Sequence, residues 1–152
     1  MSIKNRLLKI TDLKSKSGFW ETLANLTPNK KVNYFQAIKA YCKIKKQNGF
    51  TYVAIDSETN KIVGTAKLLV EQKFIRGLSL AGHIEEVATK KGYEGQGIAS
   101  QLVNLALKKA DELGCYKIIL DCRPELVNFY EKFGFEVAGS QMKIYLNNKI
   151  EK

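Results

Sequence analysis

The sequence predicts a mixed α/β fold, a sheet with helices on its faces, and three observations carry that expectation. Short β-branched or aromatic segments at residues 50–55, 62–70, 82–89 and 116–122 read as strands. Between the last two, Ile98, Ala99, Leu102, Val103, Ala106, Leu107, Ala110 and Leu113 recur at helical spacing. A glycine loop, Gly92-Tyr93-Glu94-Gly95-Gln96-Gly97, joins that strand to that helix. At 152 residues the chain fits a single domain, residues 1–152, built on one core.

Each element follows in order. Leu7-Leu8-Lys9-Ile10 reads as a short first strand, with Thr11 and Asp12 capping the turn toward a helix over residues 19–26. Thr27-Pro28-Asn29 breaks the chain, and a longer helix follows on Val32, Phe35, Ala37, Ile38, Tyr41, Cys42 and Ile44. Lys43, Lys45 and Lys46 enrich its end, where the helix dipole favours cations, and Asn48-Gly49 stops it. Residues 50–55 and 62–70 make a hairpin about the turn at 56–60. A polar and aromatic stretch at 71–77 leads to the strand of Glu85 and Glu86. After Gly114 comes a buried-type strand over 116–122, and Pro124 opens a helix through Phe129 and Tyr130 that ends at Gly134. Residues 135–137 and 142–146 read as closing strands.

Composition narrows the function classes. The net charge of +10, from 25 Lys and Arg against 15 Asp and Glu, steers an anionic ligand toward the protein without naming it. The basic residues are dispersed and no aromatic-rich recognition motif accompanies them, so no nucleic-acid partner is expected. No run of 18 or more apolar residues occurs, and the charged start lacks the apolar core of a signal peptide, so the expectation is a cytoplasmic protein with no membrane partner. Cys42, Cys115 and Cys122, with no C-x-x-C spacing and one histidine in the chain, suggest neither a disulfide framework nor a metal site.

The loop carries the chemistry. Glycines two residues apart leave backbone N–H groups free to converge, and the first turn of the following helix adds unpaired donors and the positive end of its dipole. The product is an anion seat, the bland alternative being a turn that only lets helix and strand pack closely. Gly97 is followed by Ile98-Ala99 rather than Lys-Ser/Thr, so nothing is placed for a γ-phosphate or its magnesium. Asp121 lies near the spacing of the acidic residue in dinucleotide-binding units, but a loop this late leaves too little chain for a doubly wound sheet.

This order, together with Gly97-Ile98-Ala99 after the strand, resembles the GCN5-related N-acetyltransferase (GNAT) family, whose members share an acyl-CoA N-acyltransferase fold with a mostly antiparallel central sheet. Lys73-Phe74-Ile75, Gly82-His83-Ile84-Glu85-Glu86-Val87, Gly114-Cys115-Tyr116-Lys117, Leu120-Asp121-Cys122 and Asn128-Phe129-Tyr130-Glu131-Lys132-Phe133-Gly134-Phe135 are similar to the branch acting on an amino sugar phosphate. The resemblance implies transfer of an acetyl group from acetyl-CoA to the amine of D-glucosamine 6-phosphate, directly in a ternary complex, in UDP-N-acetylglucosamine biosynthesis. No metal is required, and the branch forms homodimers with shared active sites. Another small amine, a protein lysine, or a non-catalytic basic module that binds phosphate are the alternatives.

By the same resemblance, Gly95, Gln96, Gly97, Ile98, Ala99 and Ser100 hold the coenzyme pyrophosphate, Val87, Ala88 and Thr89 pair with its pantetheine arm, and Asn128, Tyr130 and Lys132 complete the coenzyme site. Glu94 stands where the family loop has Arg or Gln, Leu126 where an Asn is common, and Arg76 where a His is common. Acetyl transfer needs a neutral amine, a polarised thioester and a proton for the departing thiolate. Tyr130 is the candidate proton donor. Glu85, Glu86 and Asp121 are candidates to hold the substrate ammonium, with Glu85 and Asp121 catalytic; on a regular strand Glu85 and Glu86 face opposite ways, and an ion pair or exposed edge explains at least one of them. Asp121, at the end of an apolar strand, is expected to be buried against a partner. Lys73, Phe74, Ile75 and Arg76, with Thr27, Tyr116 and Lys117, are the substrate-binding candidates, and Tyr145 reaches the substrate of a partner subunit. His83 reads as structural.

Overall fold

Five strands form one sheet whose spatial order repeats the sequence order: β1 (Ile3–Leu7), β2 (Gly49–Asp56), β3 (Lys61–Gln72), β4 (Leu80–Thr89) and β5 (Cys115–Leu120). Neighbours are antiparallel except β4 and β5, which run parallel because helix α4 (Ile98–Glu112) crosses over between them. The computed structural model describes residues 2–28 and 30–146. Met1 and Asn29, the end of the expected Thr27-Pro28-Asn29 break, lie outside the described residues. The chain divides into two compact units, Met1–Leu120 and Asp121–Lys152, and the sheet belongs to the first. Among the described residues no helix is long and apolar enough to cross a membrane.

One face of the sheet is set by α4. Its apolar stripe, Ile98, Leu102, Val103, Ala106 and Ala110, is buried, and full burial of a leucine such as Leu102 contributes about 1.5–3 kcal/mol. Glycine lets the helix come this close: a Cβ at Gly64 of β3 would sit 2.4 Å from Ile98 Cγ2 and 3.1 Å from Leu102 Cδ1. The other face is covered by α1 (Phe19–Leu23), α2 (Tyr34–Lys46) and the 3-10 turn Ile10–Leu13, whose Phe19, Ala37 and Leu13 cluster with Leu8, Val53, Ile55 and Ile62. A bulge between the pairs Ala54↔Gly64 and Ile55↔Ile62 makes Val63 an extra residue. This flips the pleat, so Gly64 faces α4 while Ile62 faces the opposite cluster.

The expected α2 and its stop hold. Asn33 Oδ1 accepts from Phe35 N at 2.8 Å while Gln36 Oε1 accepts from Asn33 N at 3.3 Å, a reciprocal cap, and Lys43, Lys45 and Lys46 occupy the last turn. The hairpin of β2 and β3 is also as expected.

The termini differ. The first strand is Ile3–Leu7 rather than residues 7–10, paired from Ile3↔Asp56 to Leu7↔Tyr52. Asp12 explains why the chain turns at Ile10: its carboxylate accepts from Lys9 N at 2.7 Å and from both guanidinium nitrogens of Arg6 at 2.6 and 2.9 Å. Residues 135–146 form no strand, contrary to the expected closing strands at 135–137 and 142–146. Extended backbone becomes a strand only when a neighbour supplies ladder bonds, and among the described residues none does. Val137, Met142, Ile144 and Leu146 stay exposed.

Burial pushes the Asp12 carboxyl up, but Arg6 and the Lys9 N–H outweigh it and hold it below the ordinary value of 3.8. A depressed folded pKa means stabilisation that is complete above the unfolded value and lost as pH falls through the folded one. We expect Asp12→Asn to lose on the order of 2 kcal/mol at neutral pH. Urea unfolding across pH should show the gap to the parent protein closing below about pH 4; a gap constant with pH would contradict the assignment.

Candidate active site

The site begins where two strands part. β4 and β5 are paired from Leu80↔Cys115 to Ile84↔Leu120, and β5 then ends. β4 continues along β3 to Thr89↔Gly64. Residues 85–89 therefore present one backbone edge with no ladder partner among the described residues. Between Thr65↔Ala88 and Lys67↔Glu85, three steps on β4 oppose two on β3, and Glu86 takes the left-handed φ of 52°. This bulge frees a peptide and re-aims the neighbouring N–H groups. An extended ligand arm carrying amide groups can pair along such an edge as an added strand would.

The free edge ends at a helix N-terminus. Ile98, the first residue of α4, packs onto Gly64, the register partner of Thr89. Gly92, Gly95 and Gly97 all have positive φ, and no heavy atom lies within 4 Å of a Cβ built on any of them. The open loop thus leads into the unpaired N–H groups of the first turn. Gly95, Gln96 and Gly97 are exposed, Ala99 and Ser100 half-buried. Glu94 turns back on its own loop, accepting from Gly92 N at 2.6 Å.

The bulge also revises the reading of the paired glutamates. Alternation would put Glu85 and Glu86 on opposite faces, yet the left-handed Glu86 breaks it and both are exposed. Glu86 takes the structural role, 3.1 Å from Lys67 Nζ across the strand pair, which leaves Glu85 as the carboxylate at the start of the free edge. Thr27 is exposed beyond α1, a helix tied to this end of β4 by Asn25 Nδ2 donating to Thr89 O at 2.5 Å.

A cationic cluster occupies the opposite end of β4. The Arg76 guanidinium lies 5.1 Å from the Tyr116 ring centre and Lys117 Nζ 5.5 Å from it, two cations about one aromatic. Lys73 Nζ is held by Glu71 Oε1 at 2.7 Å, and Glu71 Oε2 also meets His83 Nε2 at 3.2 Å. Lys73, first of these charges, holds the Glu71 carboxyl below its ordinary value. The loop is tightly wound: Arg76, Gly77 and Leu78 all have positive φ, and Gln72 Nε2 donates to Leu78 O at 2.6 Å and Lys73 O at 3.1 Å. Such non-glycine residues store of order 1–3 kcal/mol each and persist only where surroundings hold them. Phe74 and Ile75 project outward, Phe74 94% exposed. Lys117 is the register partner of Ala81. From Ala81 to Val87 is six residues, about 20 Å of strand, a span that a six-carbon sugar phosphate does not cover.

In the second unit, Asp121 is exposed just past the end of β5, which corrects the expectation of burial: the strand stops at Leu120 and its last residues lie at the sheet's outer edge. Asn128 and Lys132 are exposed. Tyr130 lies on α5 (Val127–Glu131), buried edge-on against Phe129 and Phe135 with ring centres at 4.9 and 6.0 Å. Burial first, then the nearby Cys122, pushes its phenol above the ordinary value of 10.0. Leu126 precedes α5 half-turned to solvent, and Tyr145 is 52% exposed. Sequence reasoning assigned no role to Asn25, Glu71 or Gln72, and no local pattern marks them; only the cross-strand register brings them to their partners.

Known proteins match this chain over most of its length. The model of the Acetyltransferase (GNAT) family matches residues 17–135. Glucosamine 6-phosphate N-acetyltransferase 1 of Dictyostelium discoideum is 41% identical over 131 residues, 85% of this chain and 83% of that protein. The glucosamine 6-phosphate N-acetyltransferase of Schizosaccharomyces pombe is 41% identical over 110 residues, 70% of this chain and 99% of that protein. The crystal structure of glucosamine-6-phosphate N-acetyltransferase from Arabidopsis thaliana superposes with a TM-score of 0.91 at 31% identity, covering 97% of this chain and all of that one.

The Gly64 contact predicts that helix position and anion seat are coupled. Gly64→Ala should destabilise the fold by roughly 1–3 kcal/mol through overpacking against Ile98 and weaken coenzyme A binding. Gly82→Ala, whose Cβ would meet its nearest atom at 3.1 Å, should do less of both. Denaturant unfolding and calorimetric titration check this pair.

Proposed function

The chain belongs to the acetyltransferase (GNAT) family, and from that premise we propose that it acetylates the amine of D-glucosamine 6-phosphate, acting as one N-acetyltransferase domain. The product, N-acetyl-D-glucosamine 6-phosphate, feeds UDP-N-acetylglucosamine biosynthesis in the cytoplasm. The observation that carries the reading is the free edge of β4 running into the N-terminus of α4, a seat for an amide-bearing arm with a diphosphate at its end.

Acetyl-CoA supplies the activated acyl group as a thioester. The backbone groups of Val87-Ala88-Thr89 that face the free edge orient the arm, and a backbone N–H near Val87, beside the bulge, stabilises negative charge that develops on the thioester oxygen. N–H groups from Gly95 to Ser100 take the pyrophosphate, and Asn128 and Lys132 add contacts to the coenzyme. Glu85 and Asp121 hold the substrate ammonium and draw off its proton, so that nitrogen can form the new C–N bond as the C–S bond breaks. Tyr130 returns a proton to the departing thiolate. Its raised pKa suits a donor, because the phenol stays protonated throughout the neutral range.

Lys73, Arg76 and Lys117, with Phe74, Ile75 and Tyr116, take the sugar phosphate. Because they lie about 20 Å along β4 from Val87, we assign their phosphate to the active site of a second copy, a homodimer with shared sites. The exposed residues 142–146, including Tyr145, are the segment we assign to reaching that copy.

Coenzyme A release from acetyl-CoA should occur with D-glucosamine 6-phosphate and not with glucosamine, glucose 6-phosphate or a lysine peptide. Release only with another amine would keep the coenzyme site and overturn the sugar assignment. Tyr130→Phe should lower kcat roughly 100-fold or more with little change in coenzyme affinity. In the parent protein the alkaline limb of kcat should lie above pH 10, since a donor with a raised pKa is lost only past that value. Lys73→Ala with Arg76→Ala should raise KM for the sugar phosphate, and mixing that double variant with Tyr130→Phe should restore activity by forming one intact site per heterodimer. Failure of the mixture to recover activity would place the phosphate contacts within one subunit.

A further inference from the structure

The coenzyme loop has an anchor outside the site. Tyr93, in the middle of the glycine loop, donates its hydroxyl to Asp56 Oδ2 at 2.9 Å. Asp56 closes β2 and is 3% exposed. Its carboxylate gathers two further donors from the β2–β3 turn, Glu58 N at 3.0 Å and Thr59 Oγ1 at 2.9 Å. Lys90 N, bonded to Val63 O at 2.8 Å, ties the start of the loop to the same hairpin. Beyond these contacts the loop is glycine at three of the six positions from Gly92 to Gly97, all with positive φ and open surroundings.

A loop this rich in glycine loses more conformational freedom on ordering than one of other residues would. Its N–H groups are useful to a diphosphate only if they already point at one centre, and a loop that must be ordered at binding gives up affinity. The demand is sharper in this chain, because Glu94 occupies the position where an Arg or Gln side chain would add its own contact and instead folds onto Gly92 N. Backbone donors must then carry the diphosphate.

We propose that Tyr93 is a positioning residue for coenzyme binding: its hydrogen bond to the buried Asp56 pins the glycine loop to the β2–β3 hairpin and pre-forms the diphosphate seat. The inference rests on the coenzyme reading above. It concerns ground-state affinity alone, since Tyr93 touches neither the acyl group nor the amine.

Tyr93→Phe tests it, because the ring is kept and Asp56 retains its two turn donors. Calorimetric titration with coenzyme A should give a Kd raised about tenfold, the loss of one hydrogen bond to a charged group. KM for acetyl-CoA should rise in parallel, with kcat and KM for the sugar phosphate unchanged within about twofold on the same scale. Thr59→Val removes another donor from the same carboxylate; its hydroxyl also neighbours that of Tyr93, but the Tyr93–Asp56 bond remains, so the coenzyme A Kd should rise by clearly less than in Tyr93→Phe. An unchanged Kd in Tyr93→Phe overturns the proposal, and so does an equal loss in Thr59→Val, which would assign the effect to the turn. If the parent protein itself fails to bind coenzyme A, the coenzyme reading falls and takes this one with it.

Discussion

Where β5 stops at Leu120, β4 does not, and the rest of the site depends on that parting. Backbone polar groups inside a sheet are normally satisfied by two neighbours. Here β3 serves one side of β4 through Thr89 while the other side loses its partner after Ile84. Beyond Ile84, β4 is held by its continuing ladder with β3 and by the elements packed on the sheet. It is also self-limiting as an aggregation hazard, since the open edge is short, bulged and flanked by two glutamates.

Charge is distributed along the same strand rather than gathered at one point. The end near Thr89 offers backbone donors and a helix N-terminus; the end near Leu80 offers Arg76 and Lys117 about a single aromatic ring, with Lys73 paired to Glu71. The left-handed turn is tied by the Gln72 amide donating to Leu78 O and by the Ser79 hydroxyl donating to Arg76 O, and Lys73 is held by Glu71. The strained backbone and ion-paired lysine lie about 20 Å along β4 from Val87, and the proposed sharing of sites between two copies of the chain would give them a substrate to meet.

Much of this was legible in the sequence. The period of 3.6 from Ile98 to Leu113 and the glycines before it located α4 and its loop, because helix amphipathicity and positive φ both leave marks on residue type. The edge strand Ile3–Leu7 was missed: its residues Lys4, Asn5 and Arg6 carry no apolar alternation, and its pairing is decided by β2. The apolar alternation at 142–146 suggested a strand, but a strand needs a partner as well as a pattern. The bulge at Glu86 and the left-handed Arg76 and Leu78 left no trace, since neither glutamate, arginine nor leucine is a residue that signals positive φ. Asp56 and Tyr93, 37 residues apart, meet only through the fold.

If, as proposed, the unpaired edge of β4 and the head of α4 together receive the coenzyme, their backbone amides are shielded when it binds. Amide hydrogen exchange with and without saturating coenzyme A measures this directly. New protection is expected at residues 85–89 and 95–100, with the paired residues 80–84 unchanged. Coenzyme binding that left residues 85–89 unprotected and slowed exchange on another surface would contradict it.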